Sequence, residues 1–337
     1  MLNTSDFHYN LPVQLIAMRP AVKRQKSRLM VLKKDGATRH NLFEKVPDYF
    51  NSGDMLILNE TKVVPARLIG KTQNGKPLDI LITGKSSGER YGVLSRGKYS
   101  GILHFEGGFT CQVYEGKEAE FQSPEILKEL ICKNGLMPLP PYINRPPEDS
   151  DRERYQCVYA KHEGSIAAPT AGLHFTDELL ADIRTKGVSI RALTHHVGTG
   201  TFRPVKSEFV EAHRMDEESF EMDSSLTDDI TAVKAKGGRV IYVGTTVTRA
   251  VESVLSGAYE ADDSTDGKLK GRTSLFIYPG YVFKGADAII TNFHLPRSTP
   301  LFLVSAFIGK DNVLNAYNEA ISAGYRFFSY GDAMLLL

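Results

Sequence analysis

The chain has 337 residues, 42% of them apolar and 24% charged, and a formal net charge of +1. At roughly 100–200 residues per domain it holds two domains, or one large and one small, with apolar residues enough for a sizeable core. Neither membrane spanning nor secretion is expected: no apolar run approaches the roughly 20 residues of a membrane span, and MLNTSDFHYNLPVQLIA lacks the basic-then-apolar order of a secretion signal.

The first 45 residues carry nine Lys or Arg and three Asp or Glu, a net +6 against −5 for the remainder. Such a segment attracts a polyanion while the whole molecule stays near neutral. A solvated charged face has the same composition, so both readings stand. From Asp54 to Gln122 the chain reads as short strands with glycine turns: DMLILN, ARLIGKT, LDILITG, RYGVLSRG, GILHFEG and FTCQVYEG, with QNGK as a hairpin turn. Such spacing predicts a small barrel or sandwich. Five prolines between Pro138 and Pro147 then make an extended connector. Cys111, Cys132 and Cys157 are odd in number and widely spaced, which fits a reducing cytoplasm better than a disulfide framework or a zinc knuckle.

After Tyr155 helices and strands alternate. TDELLADIRTKG is a helix capped by Thr176, with Asp177 and Glu178 in its first turn and Gly187 as its stop. VSIRALTHHVG follows as a strand, TDDITAVKAKGG as a capped helix and RVIYVG as a buried strand. TTVTRAVESVL is a helix with Val247, Ala250, Val251, Val254 and Leu255 on one face. TSLFIYPG and ADAIITNF read as strands, and STPLFLVSAFIG and NVLNAYNEAISAG as helices, the first with proline in its opening turn. This alternation predicts a mainly parallel sheet covered by helices.

Several segments carry the residue types of a binding site. In RVIYVGTTVTRAVES a buried strand runs through Gly244 into a helix, and ligands of open α/β sheets bind beyond such strand ends. Thr245 and Thr246 are placed to donate to a ligand, although one threonine capping the helix would look the same. GSIAAPTAGLHFT, Gly164 to Thr176, is a run of small residues that lets a ligand approach the backbone; a strand bend with a buried histidine is the plainer reading. In THHVGTGTFRPV, Gly198 and Gly200 free the backbone amides and Arg203 can fork onto an anion, but the third glycine of a dinucleotide fingerprint is missing. His174, His195, His196, His213 and His294 raise the question of zinc. Adjacent strand residues such as His195 and His196 diverge, and no helical pair of histidines brackets an acid, so no metal is expected. YRFFSYGDAMLLL sets Asp332 beside a glycine among aromatics, either as a docking segment or at the edge of a site.

At these motifs the chain resembles the S-adenosylmethionine:tRNA ribosyltransferase-isomerase family of queuosine synthesis. The likeness runs through LPVQLIAMRP, RQKSRLMVL, LNETKVVPARL, PLPPYINR, RYQCVYA, GSIAAPTAGLHFT, HHVGTGTFRPV, VGTTVTRAVES, FIYPGYVF, ITNFHLPRSTPLFLVSAF and YRFFSYGDAML, in order over essentially the whole chain. One departure is at HRMDEE, where His213, Met215 and Glu218 are kept but Asp216 replaces the family's usual second histidine, which puts a catalytic role for that position in question. The resemblance implies a discontinuous α/β catalytic domain over 1–53 and 153–337, with a small antiparallel β-barrel inserted over 54–152. A cytoplasmic monomer with no membrane contact and no permanently bound cofactor is expected. S-adenosylmethionine is the implied co-substrate: its ribosyl group is moved onto a 7-aminomethyl-7-deazaguanine at the tRNA wobble position and isomerised to the epoxide of epoxyqueuosine, while adenine and methionine leave.

That chemistry needs a base for a C5′ proton made acidic by the sulfonium, a proton donor for adenine, and cover against water. His196 or His174 is expected as the base, with Asp332 orienting a histidine or balancing the sulfonium. Only one of His195 and His196 faces the ligand, and His196, which adjoins the glycine loop, is the expected one. Thr170, Gly172, Gly198, Gly200, Thr245, Thr246 and Arg249 are the expected contacts to S-adenosylmethionine, the last three at its methionine end. Arg24, Lys26, Arg28, Lys62 and Arg67 are the expected contacts to tRNA, and Tyr142, Phe202 or Phe328 the aromatic on which the wobble base stacks. A non-catalytic RNA-binding module and a metal-dependent hydrolase are the competing classes.

Overall fold

A computed structural model describes residues 1–95, 97–198, 205–263 and 267–337. They form two compact units, a large one of Met1–Lys62, Pro141–Arg145 and Gln156–Leu337 and a small one of Val63–Pro140 and Pro146–Tyr155. In chain order the strands begin with β1 (Arg28–Leu32), β2 (Thr38–Leu42), β3 (Met55–Asn59) and β4 (Thr61–Val63). The small unit follows with β5 (Arg67–Thr72), β6 (Pro77–Ser87), β7 (Arg90–Ser95), β8 (Gly101–His104), β9 (Thr110–Tyr114) and β10 (Glu118–Glu120), then α1 (Pro124–Asn134) and α2 (Asp149–Arg154). The rest comprises β11 (His162–Ser165), α3 (Asp177–Thr185), β12 (Ser189–His195), β13 (Glu218–Asp223), α4 (Leu226–Ala235), β14 (Val240–Val243), α5 (Gly244–Ser256), β15 (Glu260–Ala261), β16 (Lys268–Thr273), β17 (Ala288–Asn292), α6 (Thr299–Ile308), α7 (Lys310–Ser322) and β18 (Ala333–Leu336).

The small unit is a closed antiparallel barrel in the order β10-β7-β6-β5-β8-β9. Alternate residues such as Leu68, Ile80, Leu103 and Val113 fill its interior, and Leu127 and Leu130 of α1 pack on the same cluster. The QNGK turn closes β5 onto β6: Thr72 N–H donates to Lys76 O at 2.8 Å, with Gly75 at φ +74°.

The large unit is built on one ten-stranded sheet, in the order β15-β16-β13-β12-β3-β14-β17-β18-β1-β2. Its centre, β12-β3-β14-β17, is parallel, and strands antiparallel to it flank it on both sides. Both faces are covered. In β1, Met30 and Leu32 join the cluster under α6 and α7, whereas Leu29 and Val31 join the cluster under α3. The same period of two divides β3 and β17 between faces. Met55–Asn59 lies inside the stretch assigned above to the inserted barrel, yet it runs in the centre of this sheet. All five of its residues are buried, as a strand covered on both faces requires and a barrel strand does not.

Thr176 caps α3 as expected, accepting from Leu179 N at 3.3 Å. Helix α4 begins at Leu226 behind Ser225, with no side-chain cap. TSLFIYPG contains no strand beyond Thr273: Ile277 is fully buried in the α6 cluster without pairing in a ladder. Among the described residues no helix is long and apolar enough to cross a membrane. The three cysteines are unpaired.

Candidate active site

In the large unit the carboxyl ends of the parallel strands converge on one cavity, the place where ligands of open α/β sheets bind. Gly244, Thr245 and Thr246 enter it after β14, Val197 after β12, and Asn292 to Leu295 after β17. Phe328 and Ser329 come from the turn before β18, which is antiparallel to β17 and so begins at the same edge. Ala168 to Ala171 and Tyr142 complete the wall, the latter from inside the proline-rich connector and one of the three aromatics expected to stack on the wobble base.

The sequence builds this edge through two strand-to-helix turns. Gly244 sits at φ +92°, a conformation that favours glycine, and α5 starts there. Neither Thr245 nor Thr246 caps α5. Both lie inside its first turn, and the residue before the helix is Val243, which offers no side-chain cap. Helix α6 likewise starts behind Ser298 without a side-chain cap, its hydroxyl donating instead to Leu295 O at 2.7 Å. Two helix N-termini without an acidic residue in the first turn thus open on the cavity, and each is a partial positive charge.

Among the described lining residues there is no Asp, Glu, Lys or Arg. The polar groups are hydroxyls, the Asn292 amide and His294. His294 is hydrogen-bonded through Nε2 to Thr291 Oγ1 at 2.8 Å, and burial pulls its pKa down to about 3, so the ring is neutral. A second, smaller pocket shares Thr245, Thr246 and Pro300 with the cavity and is walled by Met215, Phe276, Ile277, Leu303 and Arg249.

Behind β14 lies a charged cluster. His195 is fully buried: its Nδ1–H donates to Thr246 O at 2.8 Å, and Nε2 lies 3.2 Å from Glu218 Oε2. Arg249 also pairs with Glu218 and donates through Nε to Leu275 O at 3.0 Å. Burial by itself raises the Glu218 carboxyl, but the His195 contact, the Arg249 charge and the Gly198 N–H bring it down to about 2. Asn59 ties this cluster to the cavity wall, donating to His195 O at 2.9 Å and to Thr246 Oγ1 at 3.2 Å.

The expected site residues divide accordingly. Thr170, Thr245 and Thr246 line the main cavity, and Arg249 lines the smaller pocket with its guanidinium on Glu218. Gly172 lies behind the wall, where a Cβ would stand 2.1 Å from the Tyr159 hydroxyl oxygen, so packing requires glycine there. Gly198 gives its N–H to Glu218 Oε1 at 2.9 Å. Gly200, Phe202 and Arg203 lie outside the described residues.

His196 is on the opposite side of its strand from His195. It bonds Thr61 Oγ1 through Nδ1 at 2.8 Å and borders a separate cleft with His162, Ser219, Glu221 and Lys270. The cleft forces glycine at position 164, at φ +151°, where a Cβ would stand 2.6 Å from His196 Cε1. His174 is buried beneath the cavity wall, with Ser27 Oγ 2.7 Å from Nδ1 and Asn292 Nδ2 3.1 Å from Nε2. Asp332 is 1% exposed, and its carboxylate accepts from Arg28 N at 2.9 Å and Arg326 N at 2.8 Å, so it fastens a turn rather than facing a ligand.

Of the expected tRNA contacts, Arg24 donates to Leu173 O at 3.1 Å, Lys26 pairs with Glu44 at 2.8 Å, and Arg28 lies 3.7 Å over the Tyr325 ring. Lys62 pairs with Glu163 at 3.0 Å and Arg67 with Asp79 at 2.6 Å. Asn292 is among the lining residues that sequence reasoning passed over, and His294 was weighed there only as a zinc ligand. Their signal was present: both sit at the carboxyl end of the apolar strand in ADAIITNFH.

Fold and site together define an α/β protein with a charge-poor small-molecule cavity at the carboxyl edge of its sheet. The chain belongs to the family described as queuosine biosynthesis protein, whose model matches residues 4–336. It is 48% identical to the S-adenosylmethionine:tRNA ribosyltransferase-isomerase of Thermodesulfovibrio yellowstonii and 44% identical to that of Pelotomaculum thermopropionicum, each match covering 100% of both chains. It also resembles the crystal structure of the S-adenosylmethionine tRNA ribosyltransferase of Thermotoga maritima, with 31% identity and a TM-score of 0.56 over 99% of this chain and 100% of that one.

Proposed function

We propose that the protein transfers and isomerises the ribosyl group of S-adenosylmethionine onto 7-aminomethyl-7-deazaguanine at the tRNA wobble position, releasing adenine and methionine and leaving epoxyqueuosine. The observation that carries this reading is a cavity without fixed charge among its described lining residues, at the N-termini of two helices, in a chain similar over its full length to enzymes named for that activity. The methionine carboxylate suits the N-terminus of α5, beside Thr245 and Thr246, with Thr170 also lining the cavity. The methionine chain suits the smaller pocket that Arg249 helps to wall.

A sulfonium in surroundings without a carboxylate keeps its full electron-withdrawing effect on C5′. Loss of a C5′ proton then gives an ylide. The ylide's electron pair forms a C4′–C5′ double bond as the C4′–O4′ bond breaks, the ring oxygen becomes a C1′ aldehyde, and adenine leaves C1′ with its electron pair and takes a proton. The neutral tRNA amine adds to C4′ and loses a proton, which restores the C5′ ylide; C5′ then closes on C1′, and the resulting alkoxide displaces methionine from C5′ to form the epoxide. His294, the histidine lining this cavity, is the proposed proton carrier, ahead of His174 and His196. Burial keeps the ring neutral but weakly basic, so the C5′ proton it takes is held only in passing, on its way to adenine.

Tyr142 and Phe328, ring centroids 4.8 Å apart, are the proposed stacking platform for the wobble base. Arg24, Lys26, Arg28, Lys62 and Arg67 are the proposed phosphate-binding residues, each after exchanging a present partner. A cytoplasmic, monomeric enzyme belongs to the same proposal, and light scattering on the purified chain tests the second part. The activity is tested by incubation with S-adenosylmethionine and tRNA bearing the aminomethyl base: released adenine is expected, and its absence overturns the reading.

A further inference from the structure

The Asn292 amide cannot rotate. Its Nδ2 donates to His174 Nε2 at 3.1 Å and Phe328 O at 3.2 Å and lies 3.5 Å from Asp332 O. A flip would bring Oδ1 against two carbonyl oxygens. The turn that supplies those carbonyls is held in a costly shape: Phe328 adopts φ +71°, which a phenylalanine rarely takes. His174 adds a third constraint. To accept from Asn292, Nε2 must be unprotonated, so the proton is on Nδ1 and goes to Ser27 Oγ, which donates in turn to Arg24 O at 3.1 Å. Asn292 is 2% exposed and lines the cavity, yet its Oδ1 has no hydrogen-bond partner among the described residues. A buried carbonyl oxygen without a donor costs free energy, which a donor from an ordered water or from a bound ligand recovers.

We propose that Asn292 reads the nucleoside of the co-substrate: Oδ1 accepts a hydrogen bond from an N–H or O–H of the adenosine moiety, and His174 is the positioning residue that aims it. This rests on the reading of the cavity as the S-adenosylmethionine site. The donors available are the 6-amino group and the two ribose hydroxyls. The amide is acceptor-only toward the ligand because its two N–H bonds are already used.

The test is equilibrium binding, which needs no turnover. The wild type and Asn292→Ala are titrated with S-adenosylhomocysteine and with its 6-oxo, 2′-deoxy and 3′-deoxy analogues. The wild type should lose about 10- to 100-fold in affinity for the one analogue lacking the donor that Asn292 reads. Asn292→Ala should bind that analogue and the parent equally. If all three analogues lose the same factor in the variant as in the wild type, the inference is overturned. If the wild type binds the parent nowhere in the accessible range, the assignment of the cavity falls as well, an outcome distinct from failure of the hydrogen bond alone. Should Asn292→Ala not fold, His174→Gln and His174→Phe serve. Glutamine keeps an acceptor toward Nδ2 and should preserve the discrimination, whereas phenylalanine should erase it. Equal discrimination in both reduces His174 to packing and overturns its positioning role.

Discussion

Replacing Glu218 by glutamine should destabilise the large unit by an amount set by its buried charges. Its side chain is 6% exposed and carries Arg249, itself 8% exposed, together with His195 and the Gly198 amide. The carboxyl is held at about 2 against an ordinary 4.5. At about 1.36 kcal/mol per pH unit, that displacement corresponds to on the order of 3 kcal/mol of stability near neutral pH. An independent route agrees: removing one partner of a buried pair costs about 3–5 kcal/mol, because the other charge is left without compensation. For a unit of about 250 residues, roughly 2 °C of melting temperature follows each kcal/mol, so E218Q should melt about 6–10 °C below the wild type. The sign with pH is fixed. The folded value lies below the unfolded one, so the contribution is complete above about 4.5 and fades as the pH falls toward 2. Melting followed by circular dichroism should therefore show the deficit near neutral pH and a narrowing of it in acid. A variant that melts with the wild type at neutral pH, or a deficit that stays constant into the acid range, refutes the reasoning.

His294→Gln should lower the rate of adenine release by about 10²–10⁴-fold while S-adenosylhomocysteine still binds; near-normal release would move the proton carrier elsewhere, and alanine at His174 and His196 in parallel shows where. Asp332→Asn should lower the melting temperature, because two backbone N–H groups lose an ionised acceptor, at about 1.5–3 kcal/mol per charged hydrogen bond. Lost turnover with unchanged melting would instead make Asp332 part of the chemistry. Gly164→Ala should cost about 1–3 kcal/mol and push the His196 ring from its place, visible as a shifted His196 resonance; an alanine variant as stable as the wild type contradicts the crowding at that position. Neutralising Arg24, Lys26 and Arg28 together should weaken tRNA binding and reduce its salt slope by about 0.7–0.9 for each phosphate no longer neutralised. An unaltered slope rejects this patch.

What was legible in the sequence was local and periodic. The alternation after Tyr155, the Thr176 cap and the QNGK hairpin each depend on a few neighbouring residues, so the α/β architecture and the barrel could be read directly. The assignment of Met55–Asn59 could not, because a short apolar run looks the same in a barrel wall and in a central strand until its second face is covered. The site shows the same divide. Thr245 and Thr246 announced themselves through the strand-to-helix turn at Gly244, a local signal that the cavity then used. Which of His174, His196 and His294 borders the cavity had no local signal at all, since each lies in a distinctive motif and none carries a mark of which face it takes. Tertiary closure decided it. His174 spends both nitrogens on Ser27 and Asn292, 147 and 118 residues away, and His196 turns to Thr61, 135 residues away. His294 alone of the three borders the cavity, because the wall is assembled from strand ends that meet only when the sheet is complete.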